Sequence, residues 1–124
     1  MPIVFGVALG GALGASTRYG LDQLIEQRTS SLFPWATFTI NITGCFVIGL
    51  LTVSIVERQH LPAWVRVGLV VGVVGGYTTF STFAQETFEL GEVHHLAIAF
   101  AYVAASVVVG LAAVYAGTLA GRAI

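Results

Sequence analysis

The sequence predicts an all-α membrane protein with four transmembrane helices, of which the third is broken. The composition excludes an ordinary soluble domain, since 56% of the 124 residues are hydrophobic and only 9% are charged, against about 25% charged residues in soluble proteins. The ionisable residues leave four uncharged runs, each close to the ~20 residues with which an α-helix crosses the hydrocarbon core. The connecting segments are short, so residues 1–124 form one transmembrane domain. The four runs are residues 1–17, 29–56, 67–85 and 96–121.

The first and third runs each carry a pattern of small residues that favours close helix packing. In both runs a glycine recurs at every fourth position, a pattern of small residues that lets helix backbones approach one another in membranes. The charged residues follow the apolar part of the first run instead of preceding it, which is not the pattern of a signal peptide. The recurring glycines are Gly6, Gly10 and Gly14 in the first run and Gly68, Gly72 and Gly76 in the third.

The second run carries polar side chains at membrane depth, and Asn41 is the most informative of them. Serine and threonine hydroxyls in helices often bond their own carbonyl four residues back, so about half of these side chains need no further role. An amide brings two donors, which the local backbone cannot satisfy. Asn41 is therefore harder to explain by local bonding than the hydroxyl residues, and it is a candidate to line the path of an ion. The run also contains Thr37, Thr39 and Thr43.

The third run contains the segment 75–83, Gly-Gly-Tyr-Thr-Thr-Phe-Ser-Thr-Phe, which predicts a break in the helix at Gly75-Gly76. Glycine is a poor helix former, and unwound backbone at membrane depth is tolerated only where it is buried in protein or lines a cavity. Such breaks expose carbonyls and helix ends that coordinate ions. Phe80 and Phe83 follow three residues apart on one helical face. This arrangement favours a small-ion pathway over a purely structural span.

The fourth run places Tyr102 and Ser106 four residues apart, and therefore on one helical face. A bundle of four helices fills its interior with its own side chains. Because this leaves little room for a water-filled pore inside one chain, a path lined by these polar residues is expected at an interface between subunits.

The polar groups of the four runs suit a small, hard anion. The runs contain no acidic residue, whereas a proton-coupled exporter of the small four-helix type needs a membrane carboxylate. They offer hydroxyl and amide donors and aromatic ring edges, the positive part of the ring quadrupole. A small cation exporter, which would depend on a proton gradient, and a membrane subunit that only binds a partner, which would conduct nothing, remain alternatives. We see no nucleophile–base pair and expect no enzyme, and the net charge of −1 argues against a nucleic-acid partner.

The arginines are nearly balanced between the two sides of the membrane. One side holds Arg18 and Arg28, and the other holds Arg58, Arg66 and Arg122. The positive-inside rule normally requires a clear excess on one side. The balance therefore predicts dual topology, in which the chain inserts both ways and pairs head to tail. The alternative is an orientation that is simply poorly encoded.

Over essentially its whole length the chain resembles the Fluc (CrcB) family of fluoride channels. The most specific match is the segment 75–83, and two earlier groups of residues match in order and spacing. These are Thr37-Phe38-Thr39-Ile40-Asn41 with Gly44 and Phe46, and Gly10-Gly11 with Gly14-Ala15 and Arg18-Tyr19.

The resemblance implies an antiparallel, dual-topology homodimer in the cell (inner) membrane, with two separate fluoride pores and surrounding membrane lipid. It implies passive export of fluoride, which enters cells as HF and dissociates in the cytoplasm. It further implies a structural sodium ion at the dimer centre, held by the main-chain carbonyls of Gly75 and Thr78 from both subunits.

The resemblance also implies roles for individual side chains. Phe80 and Phe83 would contribute ring edges that contact the ion, and Asn41 would donate to it. A polar track beside the rings, a pair in the fourth span and two vestibule residues would complete the path. Ser81 and Thr82 would form the polar track. Tyr102 and Ser106 would be the pair in the fourth span, and Arg18 and Glu86 would line the vestibule. Neither the pattern nor the resemblance gives a role to Cys45, Gln85, His94 or His95.

Overall fold

A computed structural model describes residues 1–58 and 60–124, and every regular element in these residues is helical. Two stretches have π-helical hydrogen bonding, Thr52–Glu57 at the end of α2 and Gly68–Val74 between α3 and α4. The hydroxyls of Thr52 and Ser54 bond the carbonyls four residues back, a contact that bends helices. The α-helices are α1 Ile3–Glu26, α2 Trp35–Leu51, α3 Ala63–Val67, α4 Gly75–Tyr77, α5 Phe80–Glu92 and α6 Leu96–Ala123.

Three helical spans in the described residues are long and apolar enough to cross a membrane. They are Trp35–Glu57, Ala63–Glu92 and Leu96–Ala123. The helix α1 has 24 residues, but its second half carries Arg18, Asp22 and Glu26, and it is not among the three. The all-helical membrane architecture is thus confirmed, and the crossing by α1 stays a prediction.

The helix α1 packs along the third span through the two sets of glycines. A Cβ at Gly6, Gly10 or Gly14 would collide with a backbone carbonyl oxygen of Trp64, Gly68 or Val73, respectively. The glycines of the third span meet α1 in the same way, at Gly6, Val7 and Gly11. The close packing expected at these glycines is confirmed, and the structure shows that it joins α1 to the third span.

A second close pair joins α2 to α6. A Cβ at Gly49 would meet the Val114 carbonyl oxygen, and one at Gly117 would meet the Phe46 carbonyl oxygen. Gly121, four residues after Gly117, also meets α2, at the Leu50 carbonyl oxygen, so the same four-residue spacing occurs once in this pair. The fold consists of two tight helix pairs, and α2 also contacts the broken span.

The third span is broken as expected, but the predicted position of the break is wrong. Gly75 and Gly76 are helical, and the chain is extended at Thr78 (φ −83°, ψ 160°) and Thr79 (φ −148°, ψ 114°). Gly76 lacks a side chain because the backbone of Gly11 lies against it. At this position the absence of a side chain allows close helix packing, while the helix itself ends one residue later, at Tyr77.

The turn between α5 and α6 places His94 in the left-handed region (φ 63°). The His95 amide donates to the Leu90 carbonyl at 2.8 Å, and the His94 amide donates to that of Gly91 at 3.4 Å. These are the two bonds of a Schellman ending, a site where glycine is the usual residue. His94 thus belongs to a helix-ending turn.

Candidate functional site

The break in the third span is fixed by the side-chain amide of Asn41. Asn41 Nδ2 donates to the Thr79 carbonyl at 3.0 Å, and the Thr79 amide donates to Asn41 Oδ1 at 2.8 Å. The Asn41 side chain thereby supplies the hydrogen-bond partners that a neighbouring strand or helical turn would otherwise give this extended backbone. One amide proton of Asn41 is not used in this pair, so the residue retains a donor.

The hydroxyl of Thr79 begins the helix that follows the break. Thr79 Oγ1 accepts the Thr82 amide at 3.3 Å and donates to Thr82 Oγ1 at 3.0 Å. A threonine at this position satisfies one of the free amides at a helix N-terminus. The new helix therefore starts at Phe80, directly after the residue that Asn41 holds.

The two phenylalanines lie at the start of α5, but in different surroundings. Phe80 is 79% exposed, whereas Phe83 is half-buried against Tyr102, with ring centroids 5.0 Å apart. The Phe80 and Phe83 rings lie 5.8 Å apart at 53°. Phe80 thus presents its ring to whatever surrounds the chain, and Phe83 links that surface to the core.

The carboxyl group of Glu86 accepts hydrogen bonds from hydroxyl groups on two other helices, α2 and α6. Thr37 Oγ1 donates to Glu86 Oε1 at 2.5 Å, and the Tyr102 hydroxyl donates to Glu86 Oε2 at 2.8 Å. Both donors are buried, with exposures of 1% for Thr37 and 0% for Tyr102. Each oxygen has a partner, as a carboxyl group in a largely apolar setting requires.

A polar cavity of about 150 Å³ lies between α1, α2 and the break. Arg18 and Asp22 line one side, and Thr37, Thr79 and Thr82 line the other. Because Thr37 also bonds Glu86, this cavity adjoins the carboxyl group. It brings together a guanidinium and several hydroxyls, which are donors suited to an anion.

A second cavity, of about 260 Å³, lies on the other side of the break. Asn41, Thr78 and Phe80 contribute to its wall, together with the half-buried Cys45. Asn41 and Thr79 line this cavity, and Thr79 lines the polar one as well. The residues that fix the break therefore separate two openings in the surface of the chain.

The remaining predicted pore residues are distributed over this region. Ser81 and Thr82 are exposed in the first turn of α5, and Ser106 is half-buried in α6. Tyr102 is enclosed within the chain, and its hydroxyl is bonded to Glu86. The structure thus groups Asn41, the two rings and the hydroxyls of α5, and it places Tyr102 behind Phe83.

The carbonyls of Gly75 and Thr78 fit a hard cation chemically. In a continuous helix the Thr79 amide would bond the Gly75 carbonyl, but here it donates to Asn41. The extended backbone of Thr78 takes its carbonyl out of the helical ladder as well. Gly75 is exposed, and carbonyl oxygens are the ligands that hard cations prefer.

Two members of this site have no distinct signal in the sequence. Thr37 and Thr79 belong to a series of hydroxyl residues in the second and third runs, and half of such residues only bond their own helix. Their partners, Glu86 and Asn41, are 49 and 38 residues away in the chain. The available clues are a half-buried acid directly after the third run and an amide within the second run, because both need hydrogen-bond partners.

Comparison with known proteins relates nearly the whole chain to one family. Residues 5–118 match the family model described as CrcB-like protein, Camphor Resistance (CrcB). The chain is 44% identical to a protein of Acidobacterium capsulatum over 119 residues, which cover 95% of this chain and 94% of that protein. It is 47% identical to one of Paracoccus denitrificans over 118 residues, or 94% and 91% of the two chains. Both relatives are named fluoride-specific ion channel FluC, and that name describes a channel and not an enzyme.

Proposed function

The chain belongs to the CrcB family, and from this membership we propose that it is a fluoride-specific ion channel. The observation that carries the proposal is the similarity to named fluoride channels over nearly the full chain, which includes every residue of the broken span. The membrane-spanning helices would carry the pathway across the bilayer. The amide and hydroxyl groups around the break would donate hydrogen bonds to the ion.

Fluoride would move along the surface that carries the Phe80 ring. The ring edges of Phe80 and Phe83 would face the ion, and the unused amide proton of Asn41 would donate to it. Ser81 and Thr82 would continue the path with hydroxyls, and Ser106 with Tyr102 would serve it from α6. A small anion that loses its water in this apolar region needs such donors in fixed positions.

The polar cavity would be the entrance to this path. Arg18 would attract an anion into the cavity, and its positive charge would be offset by Asp22 in the wall and by Glu86, which Thr37 and Tyr102 hold beside it. Conduction would be passive and would export fluoride down its gradient.

A single chain leaves this path open on one side, since Phe80 is 79% exposed. We propose that a second, antiparallel copy covers it and that the homodimer of the inner membrane contains two pores. The near balance of arginines on the two sides supports insertion in both orientations.

We further propose that a structural sodium ion lies between the two copies. The carbonyls of Gly75 and Thr78 from both chains would hold it, because such dipoles repel one another unless a cation lies between them. Dialysis into a sodium-free buffer with a bulky cation should then weaken the dimer or inactivate the channel without changing which anion permeates. An intact, active dimer after verified sodium removal would exclude a required cation.

The function itself is tested with liposomes that contain only this purified chain. We expect fluoride efflux that needs no proton gradient and little efflux of chloride. Dependence on a proton gradient would indicate an exporter, and an absence of efflux from a well-folded protein would rule out the channel.

A further inference from the structure

A hydrogen bond between Tyr77 and Thr43 joins α2 to the residue directly before the break. The Tyr77 hydroxyl lies 2.8 Å from Thr43 Oγ1. Thr43 Oγ1 also lies 2.8 Å from the Thr39 carbonyl and 3.0 Å from that of Ile40. Because a threonine hydroxyl has one proton, which goes to these carbonyls, the Tyr77 hydroxyl is the donor in the bond to Thr43.

The Tyr77 bond complements the Asn41 bonds at the other end of the extended segment. Asn41 holds Thr79, and Thr43 holds Tyr77, so two side chains of α2 fix both neighbours of Thr78. Between them, a Cβ at Gly44 would collide with the methyl group of Thr78. The helix α2 therefore contacts three consecutive residues, and a shift at any of them would move the start of α5.

The position of the Phe80 ring depends on this backbone. Phe80 is 79% exposed, and its one ring–ring contact within the described part of the chain is the 5.8 Å pair with Phe83. Side-chain packing inside the chain therefore does little to place the ring. The backbone that α2 fixes places it instead.

We propose that the Tyr77 hydroxyl is a positioning group for the ion pathway, acting through its bond to Thr43 on the location of the Phe80 ring. The inference rests on the proposed function insofar as it concerns fluoride. A hydroxyl without a hydrogen-bond partner is costly in lipid. The Tyr77–Thr43 bond therefore favours the observed conformation of the helix break over conformations that lack this bond. Interhelical hydrogen bonds in membranes change such equilibria by a factor of about three on average.

The test uses Tyr77→Phe and Thr43→Val, singly and together, in the purified full chain. Phe80 is replaced by 4-fluorophenylalanine in one set of samples, so that the ¹⁹F chemical shift reports the surroundings of the ring independently of transport. Thr43→Ser keeps the accepting hydroxyl and should behave as the wild type. Tyr115→Phe removes a tyrosine hydroxyl from a residue of α6 that is 65% exposed and serves as the matched control.

We expect both single variants to move the Phe80 resonance and to lower fluoride efflux, by at most about threefold, with no further loss in the double variant. An unchanged resonance in both single variants, or an equal change in Tyr115→Phe, overturns the proposal. A moved resonance with unchanged efflux overturns the role of the bond in the ion pathway. If the wild type conducts no fluoride, the proposed function fails, while the resonance still decides whether Tyr77 positions the ring.

Discussion

Asn41 fixes the break in the third span, and the proposed function gives it a second role as a donor to the ion. Its carbonyl and one amide proton satisfy the extended backbone of Thr79, and its second amide proton remains for an ion. A residue with only an acceptor or only one donor could not do both. The break and the proposed ion contact therefore depend on the same side chain.

Asn41→Asp should abolish fluoride efflux. The change keeps the acceptor for the Thr79 amide but places a second acceptor against the Thr79 carbonyl, 3.0 Å away in the native protein. An aspartate at the centre of a membrane helix costs about 2.5–3.5 kcal/mol on insertion scales, and its charge would repel an entering anion. Efflux from liposomes is the measurement, and Gln27→Glu makes the same chemical change at an exposed position just after α1 as a control. Normal efflux from a well-folded Asn41→Asp protein would remove this residue from the pathway.

Phe80→Ile and Phe83→Ile should each strongly reduce fluoride efflux, because isoleucine keeps apolar bulk but has no positive ring edge. The structure predicts that the two variants differ in their effect on the stability of the protein. Phe83→Ile loses a ring contact with Tyr102, about 0.5–1.5 kcal/mol, whereas the exposed Phe80 loses little within its own chain.

Phe88→Ile is the matched control for the ring variants, since Phe88 is 63% exposed on the same helix. It should leave efflux unchanged. If both ring variants conduct normally in intact dimers, the rings pack the protein and take no part in transport.

At the scale of helices, the glycines of α1 allow its backbone to lie directly against the backbone of the third span. Gly10→Ala should lower stability by about 1–3 kcal/mol, the usual cost of overpacking, because its Cβ would meet the Gly68 carbonyl oxygen. Gly11→Ala is the control, since an added Cβ there has no described atom within 4 Å. Thermal unfolding of the two variants in detergent measures the difference, and equal stability would contradict the packing described for α1.

The sequence is sufficient to predict the helical class, the close packing at the glycines of the first and third runs, and the existence of a break. It does not locate the break correctly, because the adjacent glycines have two possible uses. Gly76 serves packing against Gly11, and the end of the helix is decided by Asn41, which is far away in sequence. The contacts of Thr37 with Glu86 and of Thr43 with Tyr77 are likewise long-range, so no local pattern contains them.

For the whole molecule, the proposed dimer predicts that the chain inserts in both orientations. A cysteine introduced at His60, in a Cys45→Ser background, should react only in part with an impermeant reagent added to whole cells. Full reaction should follow when the membrane is permeabilised. Reaction of every copy, or of none, before permeabilisation would show a single orientation and contradict the antiparallel dimer.

The central claim is that this chain alone forms a passive, fluoride-specific pathway. The most direct measurement is the reversal potential of the purified protein in a planar bilayer, with a fluoride gradient and equal chloride on the two sides. We predict a current that reverses at the Nernst potential of fluoride and does not depend on a pH difference. A reversal at zero voltage, or a reversal that follows the proton gradient, would contradict the claim.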